Sequence, residues 1–148
     1  MRHAITFLAT GAYVGLIPVA PGTFGSALAI PLLLVLARLR LPAAAVLAII
    51  AGFAALAMIV CQVAGAVYGE ADSAKIVLDE ISGMLVAGAL IAPTASSLVL
   101  AFLVFRVLDI VKPFPANHLD RQLKNGVGVV ADDLIAGLYA NLLVRAVT

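Results

Sequence analysis

Charge is scarce in this sequence. Only 11% of its 148 residues are Asp, Glu, Lys or Arg, and nine basic residues against eight acidic ones leave a net charge of +1. No basic excess points to nucleic acid, and no acidic tail marks a solvating segment. Tryptophan is missing and cysteine occurs once, as Cys61 in the apolar stretch CQVAG. That excludes an internal disulfide framework and a cysteine-based metal site. Strand-like alternation, internal repeats and low-complexity tracts are absent too, which removes the all-β and solenoid classes. A cleavable leader is not evident either. MRHAITFLATGAYVGLIP starts with weak charge and its short apolar stretch runs straight on, so the chain is expected to stay in or on the membrane where it is made.

What is abundant is apolar surface. Hydrophobic residues make up 64% of the chain, against roughly 45–50% in an ordinary soluble domain. Most of the exterior must therefore face lipid or other apolar surface. The length suits one domain, 1–148. The longest uncharged run lies between Arg40 and Glu70, longer than the ~20 residues a spanning helix needs. Residues 22–39 can also span, with a kink expected at Pro31. Residues 81–105 are uncharged but broken at APTASS, 92–97. Two helices of about a dozen residues each, ~18 Å long, would dip in and return as a hairpin. GVGVVADDLIAGLYANLLVRAV reads as a last helix carrying two aspartates. The expected fold is all-α: a compact multihelical membrane bundle with a helical hairpin and transmembrane helices.

The few charges fall into patches. EADSAKIVLDE covers 70–80, RVLDIVKPFPANHLDRQLK covers 106–124, and ADD covers 131–133. For Glu70, Lys124 and Arg38, solvated positions are explanation enough. Asp79 and Glu80, however, adjoin ISGMLVAGAL without a polar spacer, Arg106 and Asp109 sit in LVLAFLVFRVLDIV, and Asp132 and Asp133 enter LIAGLYANLL directly. An ionised group at an apolar helix end costs several kcal/mol unless it is paired, hydrated or bound to an ion. Such residues are candidates for function, with structural ion pairing as the competitor.

Arg106, Asp109 and Lys112 are spaced i, i+3, i+6 and form one drifting ridge on a helix. Pro113 disfavours helical geometry at Lys112, and Pro115 extends the stop. The trio is therefore expected on the last turns of a helix leaving an apolar environment. Two carboxylate pairs, Asp79–Glu80 and Asp132–Asp133, would repel if they converged unneutralised, and a hard cation such as Mg²⁺ suits them. Arg106 and Lys112 beside a carboxylate-bound Mg²⁺ would make a phosphate site. GLIPVAPGTFGS, 15–26, adds backbone N–H groups at a helix start and the Thr23 and Ser26 hydroxyls, all able to hold an anion.

Several phosphatase plans are excluded. An arginine six residues after Cys61 would mark a cysteine phosphatase, but Val67 stands there. Neither His3 nor His118 lies in a histidine-phosphatase or lipid-phosphatase signature, and there is no DxD pair. His118 reads as a surface residue. A metal-activated water leads as nucleophile, with direct attack by a carboxylate second.

Four motifs, GLIPVAPGTFGS, IVLDEISGM, FRVLDIVKPFPANHLDR and GVGVVADDLIAGLYANL, resemble the phosphatidylglycerophosphatase A family in order and spacing, from Gly15 to about Asn141. The resemblance implies an integral membrane phosphatase that needs Mg²⁺ and removes the terminal phosphate of phosphatidylglycerophosphate. It places the enzyme in a bacterial cytoplasmic membrane with its site facing the cytoplasm. By motif position it carries over Asp79, Glu80, Arg106, Asp109, Lys112, Asp132 and Asp133 as catalytic residues. Asp79, Glu80, Asp132 and Asp133 would hold the metal, and Arg106, Lys112 and Thr23 the substrate phosphate. Asp72 and Asp120 match further acidic positions. Ser73, Ala116 and Val130 depart from the pattern, the last two replacing bulkier apolar residues, which bears on local packing and not on the chemistry. Lys75 falls at a variable position.

Two other readings stay open at this point. A non-enzymatic membrane transporter or scaffold would use the charges as structural ion pairs. A phosphatase of the same chemistry would act on another lipid or on a soluble phosphomonoester. The hairpin puts the three charged patches on one face and Arg38 and Arg40 on the other, against the positive-inside tendency. A partly immersed bundle would remove that conflict.

Overall fold

Proline, glycine and asparagine punctuate long runs of alanine, leucine and valine, and the breaks in helix fall where they stand. The computed structural model describes residues 2–70, 72–116, 118 and 122–148. Among the described residues there are six α-helices, a short 3-10 turn at Val14–Leu16, and no strand. α1 covers Arg2–Ala9, α2 Pro21–Arg38, α3 Ala43–Tyr68, α4 Leu78–Ala87, α5 Ala95–Val111 and α6 Gly126–Val147. The all-α membrane bundle is thus what the structure shows.

Each boundary has a local cause. Pro21 opens α2, where its fixed φ fits and its missing N–H is no loss. The helix continues through Pro31, although that residue cannot bond the carbonyl of Ala27. Gly69 closes α3 at φ +78°, its N–H donating to the Gly65 carbonyl at 2.8 Å, a left-handed cap that costs glycine little. Thr94 starts α5 with a capping box. The Ser97 N–H donates to the Thr94 hydroxyl, and the Thr94 N–H donates to the Ser97 hydroxyl, each at 3.2 Å. Such a cap contributes about 1 kcal/mol. Asn125 starts α6, its Oδ1 accepting from Val127 at 3.1 Å and Gly128 at 3.0 Å.

The hairpin is formed by α4 and α5. α5 has 17 residues, since beyond its uncharged part it carries Arg106 and Asp109 on its last turns, as their spacing and Pro113 predict. Those two side chains pair with each other on the helix surface. A neutralised pair one turn apart does not end a helix.

α4 forms the shaft of the bundle. Eight of its ten residues are buried, and α2, α3, α5 and α6 all pack on it. Its contacts fix the directions of its neighbours. Gly22 of α2 lies against Glu80 and Leu33 against Gly88, so α2 runs parallel to α4. Gly137 of α6 meets Gly83 backbone to backbone, and Asn141 donates to the Ala87 and Ala89 carbonyls at 3.0 and 2.9 Å, so α6 is parallel as well. A Cβ at Gly83 would come within 2.6 Å of both the Asp133 carbonyl oxygen and the Phe105 ring. Small residues permit this closeness, as between helices in membranes generally. Ala116 and Val130, the two smaller apolar replacements among the three departures, are fully buried in the interior.

α2, α3 and α6 are long and apolar enough to cross a membrane by length and composition. Large apolar side chains point outward from them, Ile59 at 64% exposure and Leu142 at 56%. Contiguous exposed apolar surface of this kind belongs to a membrane protein. The parallel set α2, α4 and α6 gives the bundle two unlike ends, one where these three helices begin and one where they finish.

Candidate active site

The end where α2, α4 and α6 begin collects the carboxylates. The Val77 N–H donates to the Ala9 carbonyl at 2.9 Å and ties the start of α4 to α1. Asp79 and Glu80 follow in the first turn of α4, where the positive helix end favours negative charge. Asp133 comes from the second turn of α6, its backbone against Gly83. One oxygen from each of Asp79, Glu80 and Asp133 lies within 4.8 Å of the others. A cavity of about 180 Å³ opens here, and Asp72, Asp109, Lys112 and Asp132 also line it.

Two cations stand here already engaged, Lys112 in the cavity lining and Arg106 behind it against the lining residue Asp109. Arg106 pairs with Asp109, and its Nη1 also donates to the Ser26 hydroxyl at 3.4 Å. Lys112 Nζ donates to Asp132 Oδ2 at 2.6 Å. Lys112 is the left-handed cap of α5 at φ 47°, one residue before Pro113, so the helix ends where its side chain turns towards α6.

The electrostatics are unbalanced. Asp79 Oδ1 and Glu80 Oε2 are buried without a hydrogen-bond partner, and Arg106 Nε is as well. Burial, then the adjacent Glu80 charge, holds the Asp79 carboxyl well above the usual carboxylate range. Burial also raises Glu80, opposed by its hydrogen bond with Asp79 and by Arg106. Orphaned buried oxygens cost free energy unless something satisfies them. Three converging carboxylate oxygens, two of their side chains short of a partner, fit a hard divalent cation.

The structure differs from the sequence expectation at several residues. Asp132 lies outside the carboxylate trio. Its Oδ2 is held by Lys112 and its Oδ1 accepts the Asp133 N–H at 3.1 Å. Neighbouring helix residues point about 100° apart, so Asp132 and Asp133 face different partners and the expected four-carboxylate metal set becomes three. Thr23 stands half-buried in the first turn of α2 and does not line the carboxylate cavity. Its neighbour Gly22 makes the approach instead, since a Cβ there would collide with Glu80 Oε1 and lie 3.4 Å from Arg106 Nη1. Ser26 is not free to hold an anion as a donor, because its hydroxyl donates to the Gly22 carbonyl at 2.8 Å. Its lone pair serves Arg106. Asp72 is exposed at the cavity rim, and Asp120 falls outside the described residues.

Gly22, and the service of Ser26 as acceptor for Arg106, are what the sequence reading missed. The signal was there, because Gly22, Gly25, Ser26, Ala29 and Leu33 recur at helical spacing and form the buried stripe of α2.

The sequence pattern of the family described as Phosphatidylglycerophosphatase A matches residues 7–148. A Haemophilus influenzae protein named phosphatidylglycerophosphatase A is 38% identical over 99% of this chain and 90% of its own. Its Escherichia coli namesake is 32% identical over 95% of this chain and 81% of its own. A Bacteroides thetaiotaomicron protein, provisionally named a phosphatidylinositol-3-phosphatase, is 33% identical over 93% of this chain and 89% of its own. No solved structure matches. With the family pattern spanning nearly the whole sequence, the chain belongs to the phosphatidylglycerophosphatase A family.

Proposed function

We propose that this protein hydrolyses the terminal phosphomonoester of phosphatidylglycerophosphate to phosphatidylglycerol, with Mg²⁺ held by Asp79, Glu80 and Asp133. The observation that carries the reading is the buried trio itself, with Asp79 Oδ1 and Glu80 Oε2 left without partners at the edge of a membrane bundle. Structural ion pairing accounts for Arg106–Asp109 and Lys112–Asp132 but leaves those oxygens unexplained. Bound at the trio, Mg²⁺ would supply a water acidic enough to be deprotonated near neutral pH and would draw charge from the phosphoryl oxygens.

The remaining roles belong to the chain. Arg106 and Lys112 bind the phosphate and absorb the charge that builds on its non-bridging oxygens. Asp109 and Ser26 position Arg106 from two sides, and Asp132 positions Lys112. Both cations then arrive preoriented. Gly22 leaves room for Glu80 to lie beside Arg106. Ile110, Val111 and Phe114, exposed at 73%, 67% and 74%, flank Lys112 and give acyl chains an apolar surface beside the headgroup. We place the protein in a bacterial cytoplasmic membrane with this end towards the cytoplasm.

Phosphate release from the purified protein tests the reading, using a panel of lipid phosphates with and without Mg²⁺. Hydrolysis of phosphatidylglycerophosphate that stops on metal removal is expected. The Bacteroides relative's name makes a phosphorylated inositol lipid the second substrate to include. Activity only on soluble phosphomonoesters, or undiminished without divalent metal, would overturn the assignment.

A further inference from the structure

The other end of the bundle holds charge of one sign and a cavity that the reaction does not use. Every described carboxylate side chain lies at or near the end where α2, α4 and α6 begin, whereas Arg38, Arg40 and Arg145 lie where these helices finish. The three arginines are not equivalent. Arg145 is committed to structure, its Nη2 donating to the Ala89 and Leu90 carbonyls at 3.1 and 2.9 Å and its Nε to Asn141 at 2.8 Å. Arg38 and Arg40 have no ion pair and no side-chain hydrogen bond among the described residues.

Between them and the bundle lies a cavity of about 140 Å³. Leu33, Leu36, Leu41, Val46 and Leu98 line its walls and Arg40 stands in its lining. A second, wider hollow of about 360 Å³ adjoins it, with Arg38 and Arg40 both in its lining. The two share Ala37, Arg40 and Pro93, so they form one depression with an apolar floor and a cationic mouth. α2, with 18 residues, is ~27 Å long at 1.5 Å per residue. That is close to the ~30 Å of a bilayer's hydrocarbon core, so the arginines stand at the membrane interface opposite the carboxylates.

We propose that this depression binds an anionic phospholipid of the leaflet opposite the carboxylate end. Arg38 and Arg40 hold the headgroup phosphate, and part of an acyl chain lies in the cavity floored by Leu33 and Leu98. The match is one of charge and polarity together. A soluble anion would use the arginines and leave the cavity unfilled, and a zwitterionic lipid would bring its own cation to the mouth. A bound anionic lipid also neutralises the cations that the positive-inside tendency would place on the other side. The proposal stands whether or not the carboxylate end is hydrolytic.

The test is a lipid titration of the full chain in detergent without divalent metal, read by native mass spectrometry, with phosphatidylglycerol or phosphatidylcholine as probe. The R38Q/R40Q variant should weaken one bound phosphatidylglycerol by about tenfold or more and leave phosphatidylcholine binding unaltered. Leu41→Trp, which narrows the cavity from a partly exposed position, should weaken the same lipid with both arginines in place. Lys124→Gln, on the exposed surface of the other end, should leave the count unchanged. Three outcomes overturn the proposal: an unchanged phosphatidylglycerol count in R38Q/R40Q, an equal loss in Lys124→Gln, or displacement of the lipid by inorganic phosphate at equal concentration.

Discussion

At one end of the bundle, Asp79 Oδ1 and Glu80 Oε2 are buried with no hydrogen-bond partner. At the other, Arg145 reaches the carbonyls of Ala89 and Leu90, more than fifty residues away, and the Asn141 amide. Both ends bring ionisable groups to the rim of an apolar structure, yet among the described residues only one leaves buried charge-bearing atoms unsatisfied. The satisfied arginine holds a turn together. The unsatisfied carboxylates destabilise the metal-free chain and are therefore where a ligand has most to contribute.

The sharpest way to break this contrast is Asp133→Asn, which keeps shape and removes one negative charge from the trio. Hydrolysis should become nearly undetectable, while the metal-free variant unfolds in detergent at the same temperature as the parent or above it. Loss of stability without metal, with activity retained in the surviving fold, would make Asp133 a structural partner instead. Next in size come Arg106→Ala and Lys112→Ala, each expected to lower turnover by roughly 10²–10³, the range for a lost transition-state donor. Lys124→Ala, exposed on the same end, should change little. An equal loss in all three would mean that overall charge matters and not a defined site.

Gly22→Ala sharpens the comparison from the backbone side. Its Cβ must displace Glu80 or Arg106, and a misplacement near 1 Å costs turnover roughly tenfold to a hundredfold. The loss should appear in kcat at an unchanged unfolding temperature. The smallest effect on chemistry is expected from Arg145→Ala. Stranding the Ala89 and Leu90 carbonyls should cost about 1–3 kcal/mol of stability, read by thermal unfolding, with turnover per folded molecule preserved.

The helices were legible to different degrees, for physical reasons. α6 matches the last segment read from sequence because Asn125 and Gly126 announce its start and nothing interrupts its apolar course. α5 ends where Pro113 and Pro115 announce it, with Arg106 and Asp109 on its last turns, where their mutual pairing lets the helix outrun the uncharged stretch. Most of the carboxylate end could be anticipated from charges lacking a polar spacer. The split between Asp132 and Asp133 was legible in principle, since adjacent helix positions diverge. Which of the two would face Lys112 depends on how α5 and α6 meet, and no local pattern encodes that. The opposite placement of Arg38 and Arg40 was legible too, but the contacts of Arg145 were out of reach, because its partners are backbone carbonyls far away in sequence.

The exposed apolar rim formed by Ile110, Val111 and Phe114 beside Lys112 changes what concentration means for this protein. A lipid held against that rim arrives by lateral diffusion within a sheet, so its supply is set by its mole fraction in the bilayer or micelle and not by its molarity in the tube. Adding inert detergent at constant total substrate would slow encounters by surface dilution alone, with no inhibitor present. A saturation curve measured at one detergent concentration would then describe the micelle as much as the enzyme.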